Sequence, residues 1–156
     1  MKKERIIPFI MLVGLPLVLG ILSSLLAGDL AQKYGEFTLP PLSPPGWLFG
    51  VVWPILYILM GISSYLIYLE PPSQERNRCL LVYFVQLFIN FIWSPIFFGV
   101  EFLGLAVAVI IILDMLVLYC IITFRKVRPL AGNLLIPYIL WIAFATYLCA
   151  GVALLN

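Results

Sequence analysis

Apolar and polar positions along this chain separate into long blocks rather than alternating. Five predominantly apolar runs, at approximately 6–27, 47–69, 79–99, 102–124 and 134–155, are divided by short polar connections. Each run exceeds the stretch of about 18 apolar residues that marks a membrane-crossing helix. At about 1.5 Å of rise per residue, each covers roughly 30 Å, the hydrocarbon thickness of a bilayer. Lipid offers no water to satisfy an open backbone, so such a run must close its hydrogen bonds internally as a helix. The pattern predicts an all-α integral membrane protein, a bundle of five transmembrane helices forming one domain over 1–156. The longest connection, 28–46, holds four prolines and reads as a structured lid loop.

The charged residues add an orientation. Of nine Lys and Arg, eight fall on the side of the N-terminus (Lys2, Lys3, Arg5, Arg76, Arg78, Arg125, Lys126 and Arg128), and Lys33 alone falls on the other. Basic connections mark the cytoplasmic face, so the N-terminus is expected inside and the C-terminus outside. The first run imitates a secretory signal, but its 22 residues exceed an h-region of about 7–15, and it reads as a retained helix. A composition of 64% hydrophobic and 10% charged residues departs from a soluble domain, which is about half apolar and a quarter charged. The net charge of +2 leaves no footprint for nucleic acid. The absence of His excludes imidazole catalysis and His-ligated metal or haem. Cys79, Cys120 and Cys149 are too dispersed for a disulfide framework or a thiolate metal site. No metal and no obligatory cofactor is expected.

A few residues inside the spans stand out. Asp114 is the one formally charged side chain within a run; a carboxyl there is costly unless it is paired, protonated or facing a cavity. It reads either as the polar floor of a ligand site or as an acid bonded to a neighbouring helix. Gln86 and Asn90 stand one helical turn apart on one face, with Trp93 continuing the stripe. They are either ligand contacts or interhelical glue, and counting from the membrane edges puts Asn90 and Asp114 at similar depth, where they could be mutual partners. Trp53 and Trp141 lie about two turns inside their runs, deeper than an interfacial tryptophan belt. Trp53 shares a face with Tyr57, and Trp141 with Tyr138 and Ala145; the pattern suits a flat apolar ligand and core packing equally. Gly46-Trp-Leu-Phe-Gly50 is a GxxxG pattern, but it begins at a helix terminus beside Pro45 and is weak as a dimer seam. Pro16, Pro54, Pro95 and Pro137 each remove a backbone donor within a run. No internal repeat supports an inverted-repeat transporter.

Three ordered motifs then resemble one family. Pro44-Pro-Gly-Trp-x-Phe-Gly-x-x-Trp53-Pro-x-Leu-Tyr57, Gln86-Leu-x-x-Asn90-x-x-Trp93-Ser94 with Phe97-Phe98-Gly99, and Ala131-Gly-x-Leu-Leu-x-Pro137-Tyr138-x-x-Trp141-x-x-Phe-Ala145 are similar to the second, third and fifth helices of the TspO/translocator-protein (peripheral benzodiazepine receptor) family. The resemblance implies a bacterial-type member in the cytoplasmic membrane, homodimeric, with a pocket roofed by the first loop. It implies a receptor or sensor for tetrapyrroles, protoporphyrin IX or haem as ligand, that also binds isoquinoline-carboxamide compounds. Light- and oxygen-dependent porphyrin breakdown, with Trp53 and Trp141 as candidate reactive indoles, and transport of porphyrins or small hydrophobic molecules are the alternatives. Carried onto matching positions, the site residues are Tyr34, Pro44, Trp53, Tyr57, Gln86, Asn90, Trp93, Asp114, Trp141, Ala145 and Cys149. In this picture Trp53 and Trp141 flank the ligand plane, while Gln86, Asn90 and Asp114 meet its polar edge. Where many relatives carry Trp-Tyr in the first loop this chain has Lys33-Tyr34, and Cys149 stands where asparagine is common. No Lys or Arg follows Tyr147, so the sterol motif of animal relatives is absent from the end of the fifth helix.

Overall fold

A computed structural model describes residues 2–156. Its long helices are α1 (Lys3–Ala27), α3 (Trp47–Tyr68), α4 (Gln74–Ser94), α5 (Leu103–Val127) and α7 (Ile136–Leu155), with two short ones, α2 (Leu30–Glu36) and α6 (Pro129–Asn133). Five stretches are long and apolar enough to cross a membrane, in the places the hydrophobic pattern predicts. No strand occurs among the described residues.

The helix ends depart from the hydrophobic runs for local reasons. Hydropathy marks what hydrocarbon tolerates, whereas a helix continues until its backbone is capped. α4 therefore starts at Gln74, ahead of its apolar run, because the Ser73 side chain accepts the Arg76 N–H at 3.1 Å. α5 persists through Arg125 and Lys126 and stops at Arg128, whose extended backbone is what a following proline requires. Pro137 sits in the first turn of α7, where its missing N–H costs nothing. Pro95 opens a π-helical turn over Pro95–Gly99, closed by the Val100 N–H donating to the Pro95 carbonyl at 2.9 Å. The third span is thus not one uniform α-helix.

In lipid, apolar helices gain little by leaving one apolar medium for another, so association rests on close approach and interhelical hydrogen bonds. α1 packs along α3 at Gly61, where a Cβ would lie 2.5 Å from the Val13 Cα. Ser63 donates to the Ala131 carbonyl at 2.6 Å and Ser23 to the Phe91 carbonyl at 2.7 Å, tying α3 to α6 and α1 to α4. Within the bundle the GxxxG glycines make no such approach: a Cβ on Gly50 would meet nothing within 4 Å, and one on Gly46 only the Tyr34 ring at 3.5 Å. α5 packs against α4, α6 and α7. The half of the bundle nearer the N-terminus is filled by Leu56, Met60, Tyr83, Phe124, Tyr138 and Ile142. The opposite half has a smaller core around Phe97, Ala106, Ile110 and Val152.

Candidate ligand-binding cavity

That less filled half holds a cavity of about 610 Å³, within the size range of small-molecule sites. Its walls come from the C-terminal half of α1, the N-terminal half of α3, the π-turn and the C-terminal half of α7, and α2 roofs it through Leu30, Ala31 and Tyr34. None of the described residues that line it is charged. Two aromatic pairs face it. Trp53 stacks on Tyr57 with centroids 5.5 Å apart, and Trp93 stacks on Phe97 at 5.1 Å.

The lid segment contains the α2 helix, capped by Asp29, whose carboxylate accepts the Gln32 N–H at 3.1 Å. Bonds between lid and bundle hold it down. Lys33 donates to the Phe98 carbonyl and stands 4.0 Å from Glu101. Tyr147 donates to the Pro41 carbonyl at 2.6 Å, and the Asn156 amide brackets Thr38, accepting its N–H and donating to its carbonyl, both at 3.0 Å. Within the lid, Tyr34 donates to the Pro44 carbonyl at 2.7 Å. Burial pushes the Tyr34 phenol up from the ordinary tyrosine value, against a smaller downward pull from Ser43.

The pattern of the TspO/MBR family matches residues 12–155. The chain belongs to the TspO/MBR family. It is 36% identical over 141 residues to the tryptophan-rich protein TspO of Archaeoglobus fulgidus, covering 90% of this chain and 91% of that protein. It is 30% identical over 156 residues to the tryptophan-rich protein TspO of Chlorobaculum tepidum, covering 99% of both. The human translocator protein is 35% identical over 123 residues, 78% of this chain and 73% of that one. With five apolar helices and TspO/MBR membership, the chain is an integral, multi-pass membrane protein, and membership supports a translocator or receptor role.

In this TspO/MBR bundle the motif residues divide into two sets. Tyr34, Trp53, Tyr57, Trp93, Ala145 and Cys149 line the cavity. Pro44 serves the lid through its carbonyl, and Trp141 stands one ring behind the wall, edge-on to Phe49 at 5.7 Å. Trp53 thus lines the cavity directly, whereas Trp141 reaches it only through its contact with Phe49, which does line it.

Gln86 and Asn90 are buried behind the wall rather than exposed in it. Asn90 donates to the Tyr138 hydroxyl at 2.8 Å, Tyr138 donates to Gln86 Oε1 at 2.9 Å, and Tyr57 donates to Asn90 Oδ1 at 3.3 Å. Asp114 instead meets Thr146 across α5 and α7 at 2.6 Å. The expected Asn90–Asp114 partnership is thus replaced by two separate sets of bonds. Equal depth along two helices says nothing about their rotation, and each residue turns toward its own neighbour. Reading from sequence also overlooked the contribution of α1, where Gly20, Ser23 and Ser24 line the cavity. Small residues in an otherwise bulky apolar helix were the available signal.

Proposed function

We propose that the protein is a membrane receptor or sensor for a flat apolar ligand of the tetrapyrrole class, protoporphyrin IX or haem, and that isoquinoline-carboxamide compounds enter the same cavity. The observation that carries this reading is an uncharged cavity of about 610 Å³ faced by two stacked aromatic pairs. Stacked rings present broad π-faces to a planar ligand, and aromatic contacts add about 0.5–1.5 kcal/mol beyond the area they bury. The family resemblance brings the assembly as a homodimer. The eight-to-one distribution of Lys and Arg brings the orientation, with the N-terminus cytoplasmic and the lid external in a bacterial cytoplasmic membrane.

Light- and oxygen-dependent breakdown of the bound porphyrin is a second reading, favoured by one specific feature. An oxidisable indole, Trp53, lies in the cavity wall itself, whereas Trp141 does not. Both readings meet in one experiment. Purified protein in detergent is titrated with protoporphyrin IX in the dark, following tryptophan quenching, and then illuminated. Saturable quenching is expected, weakened about tenfold in Trp53→Leu, the scale of one lost aromatic contact. Absence of saturation at micromolar porphyrin would overturn the binding reading. Light products that depend on Trp53 would establish the second reading, and bleaching identical to that of free porphyrin would refute it.

A further inference from the structure

From the cavity wall a closed circuit of contacts runs inward, and two of its four members, Asn90 and Tyr138, touch no part of the cavity. Trp53 stacks on Tyr57 with an interplanar angle of 28°, and Tyr57 donates to Asn90 Oδ1. Asn90 donates to the Tyr138 hydroxyl, and the Tyr138 ring returns edge-on to Trp53 at 6.5 Å. Trp53 and Tyr57 belong to α3, Asn90 to α4 and Tyr138 to α7. The two rings that would meet a ligand are therefore oriented by the two other helices.

The direction of these hydrogen bonds is determined from the far end. Gln86 Nε2 stands 3.9 Å from the Met60 sulfur, and a thioether only accepts, so the amide nitrogen faces Met60 and Gln86 Oε1 faces Tyr138. The single Tyr138 proton goes to that oxygen, so the hydroxyl must accept from Asn90 Nδ2. That leaves Asn90 Oδ1 toward Tyr57, which donates to it. Gln86, Asn90 and Tyr138 are all buried, and a buried donor or acceptor left without a partner is costly, so the series holds together as a unit. α1 makes room for it at Gly20, where a Cβ would lie 2.4 Å from Tyr57 Cε2.

We propose that Tyr138 is a positioning residue of the binding site: acting through Asn90, it sets the orientation of Tyr57 and hence of the Trp53 face offered to the ligand. The inference rests on reading the cavity as a binding site. Gln86 and Asn90 then serve the ligand without touching it, which explains polar motif residues lying behind an apolar wall.

The test is a double-mutant cycle on protoporphyrin IX affinity in the dark, with wild type, Tyr138→Phe, Tyr57→Phe and the double variant. Near-UV circular dichroism of each unliganded protein, compared with Trp53→Phe, reports the Trp53–Tyr57 stack. Tyr138→Phe is expected to weaken binding about tenfold, the scale of one buried hydrogen bond, and to change the Trp53 signal. In the Tyr57→Phe background, where the series is already cut at the cavity end, it is expected to add nothing further. Should Tyr138→Phe not fold, Asn90→Leu takes its place in the cycle with the same expectation. Equal weakening in both backgrounds, or no weakening in either, would overturn the proposal. Failure of wild type to bind porphyrin saturably would overturn the binding reading and this inference together. Saturable wild-type binding with an additive cycle would overturn the inference alone.

Discussion

A Cβ on Gly20 would lie 2.4 Å from Tyr57 Cε2 and 2.9 Å from its Cζ. The ring it meets is stacked on Trp53 and bonded to Asn90, so it cannot swing aside without breaking one of those contacts. Gly20→Ala gains helix propensity, up to about 1 kcal/mol, but incurs overpacking of about 1–3 kcal/mol. We expect porphyrin binding to weaken about tenfold in a protein that still folds, measured by dark quenching beside a thermal melt in detergent. Unchanged affinity would show that the Tyr57 ring relaxes freely. Sequence position alone could not reveal this role, since Gly14 on the same helix would meet nothing within 4 Å. The motif residues Trp53, Tyr57 and Trp93 were legible as candidate ligand contacts, and they do face the cavity. Trp141 was equally legible as a deep tryptophan, yet only the placement of Phe49 decided that it stands behind the wall.

The helices themselves are held together by features too small for hydropathy to register. At Gly61 the α3 backbone comes so close to α1 that an added Cβ would lie 2.5 Å from Val13 Cα and 2.8 Å from the Leu12 carbonyl oxygen. Backbone cannot rotate away as a side chain can. Gly61→Ala should therefore force the two helices apart and destabilise the bundle by about 1–3 kcal/mol. Gly14→Ala should be neutral or slightly stabilising, because it gains helix propensity without a clash. Thermal melts of the two variants in one detergent check the contrast, and equal melting temperatures would contradict it. The five long helices were readable because each carries a predominantly apolar run of some 20 residues. α2 was not, since its seven residues are too few to display a helical period. Its Asp29 cap was present in the sequence, but the bonds from Lys33, Tyr147 and Asn156 that hold the lid come from distant chain segments or reach them.

On the scale of the whole molecule the two ends differ. The basic end is filled by core side chains and laced by Arg128–Glu70 at 3.3 Å and by Arg76 stacked over the Tyr68 ring and donating to its carbonyl. The opposite end encloses the cavity beneath α2. The three native cysteines are buried, which leaves introduced ones to report topology. A membrane-impermeant maleimide applied to intact cells should label Val100→Cys and should reach Pro72→Cys only after permeabilisation. The reverse pattern would invert the proposed orientation.

The sequence by itself determined that this chain crosses a membrane five times, because the lack of water in hydrocarbon leaves long apolar segments no alternative to helices. It also determined family membership, because three ordered motifs retain their residue types and spacing. Only the tertiary structure decided which motif residues face the cavity and which stand behind them. Helix rotation and packing are set by contacts between segments distant in the chain, as Tyr57, Asn90 and Tyr138 come together from three different helices. Along each helix most positions look alike in hydropathy; it is a neighbour's glycine, hydroxyl or ring that turns one face inward and another toward lipid.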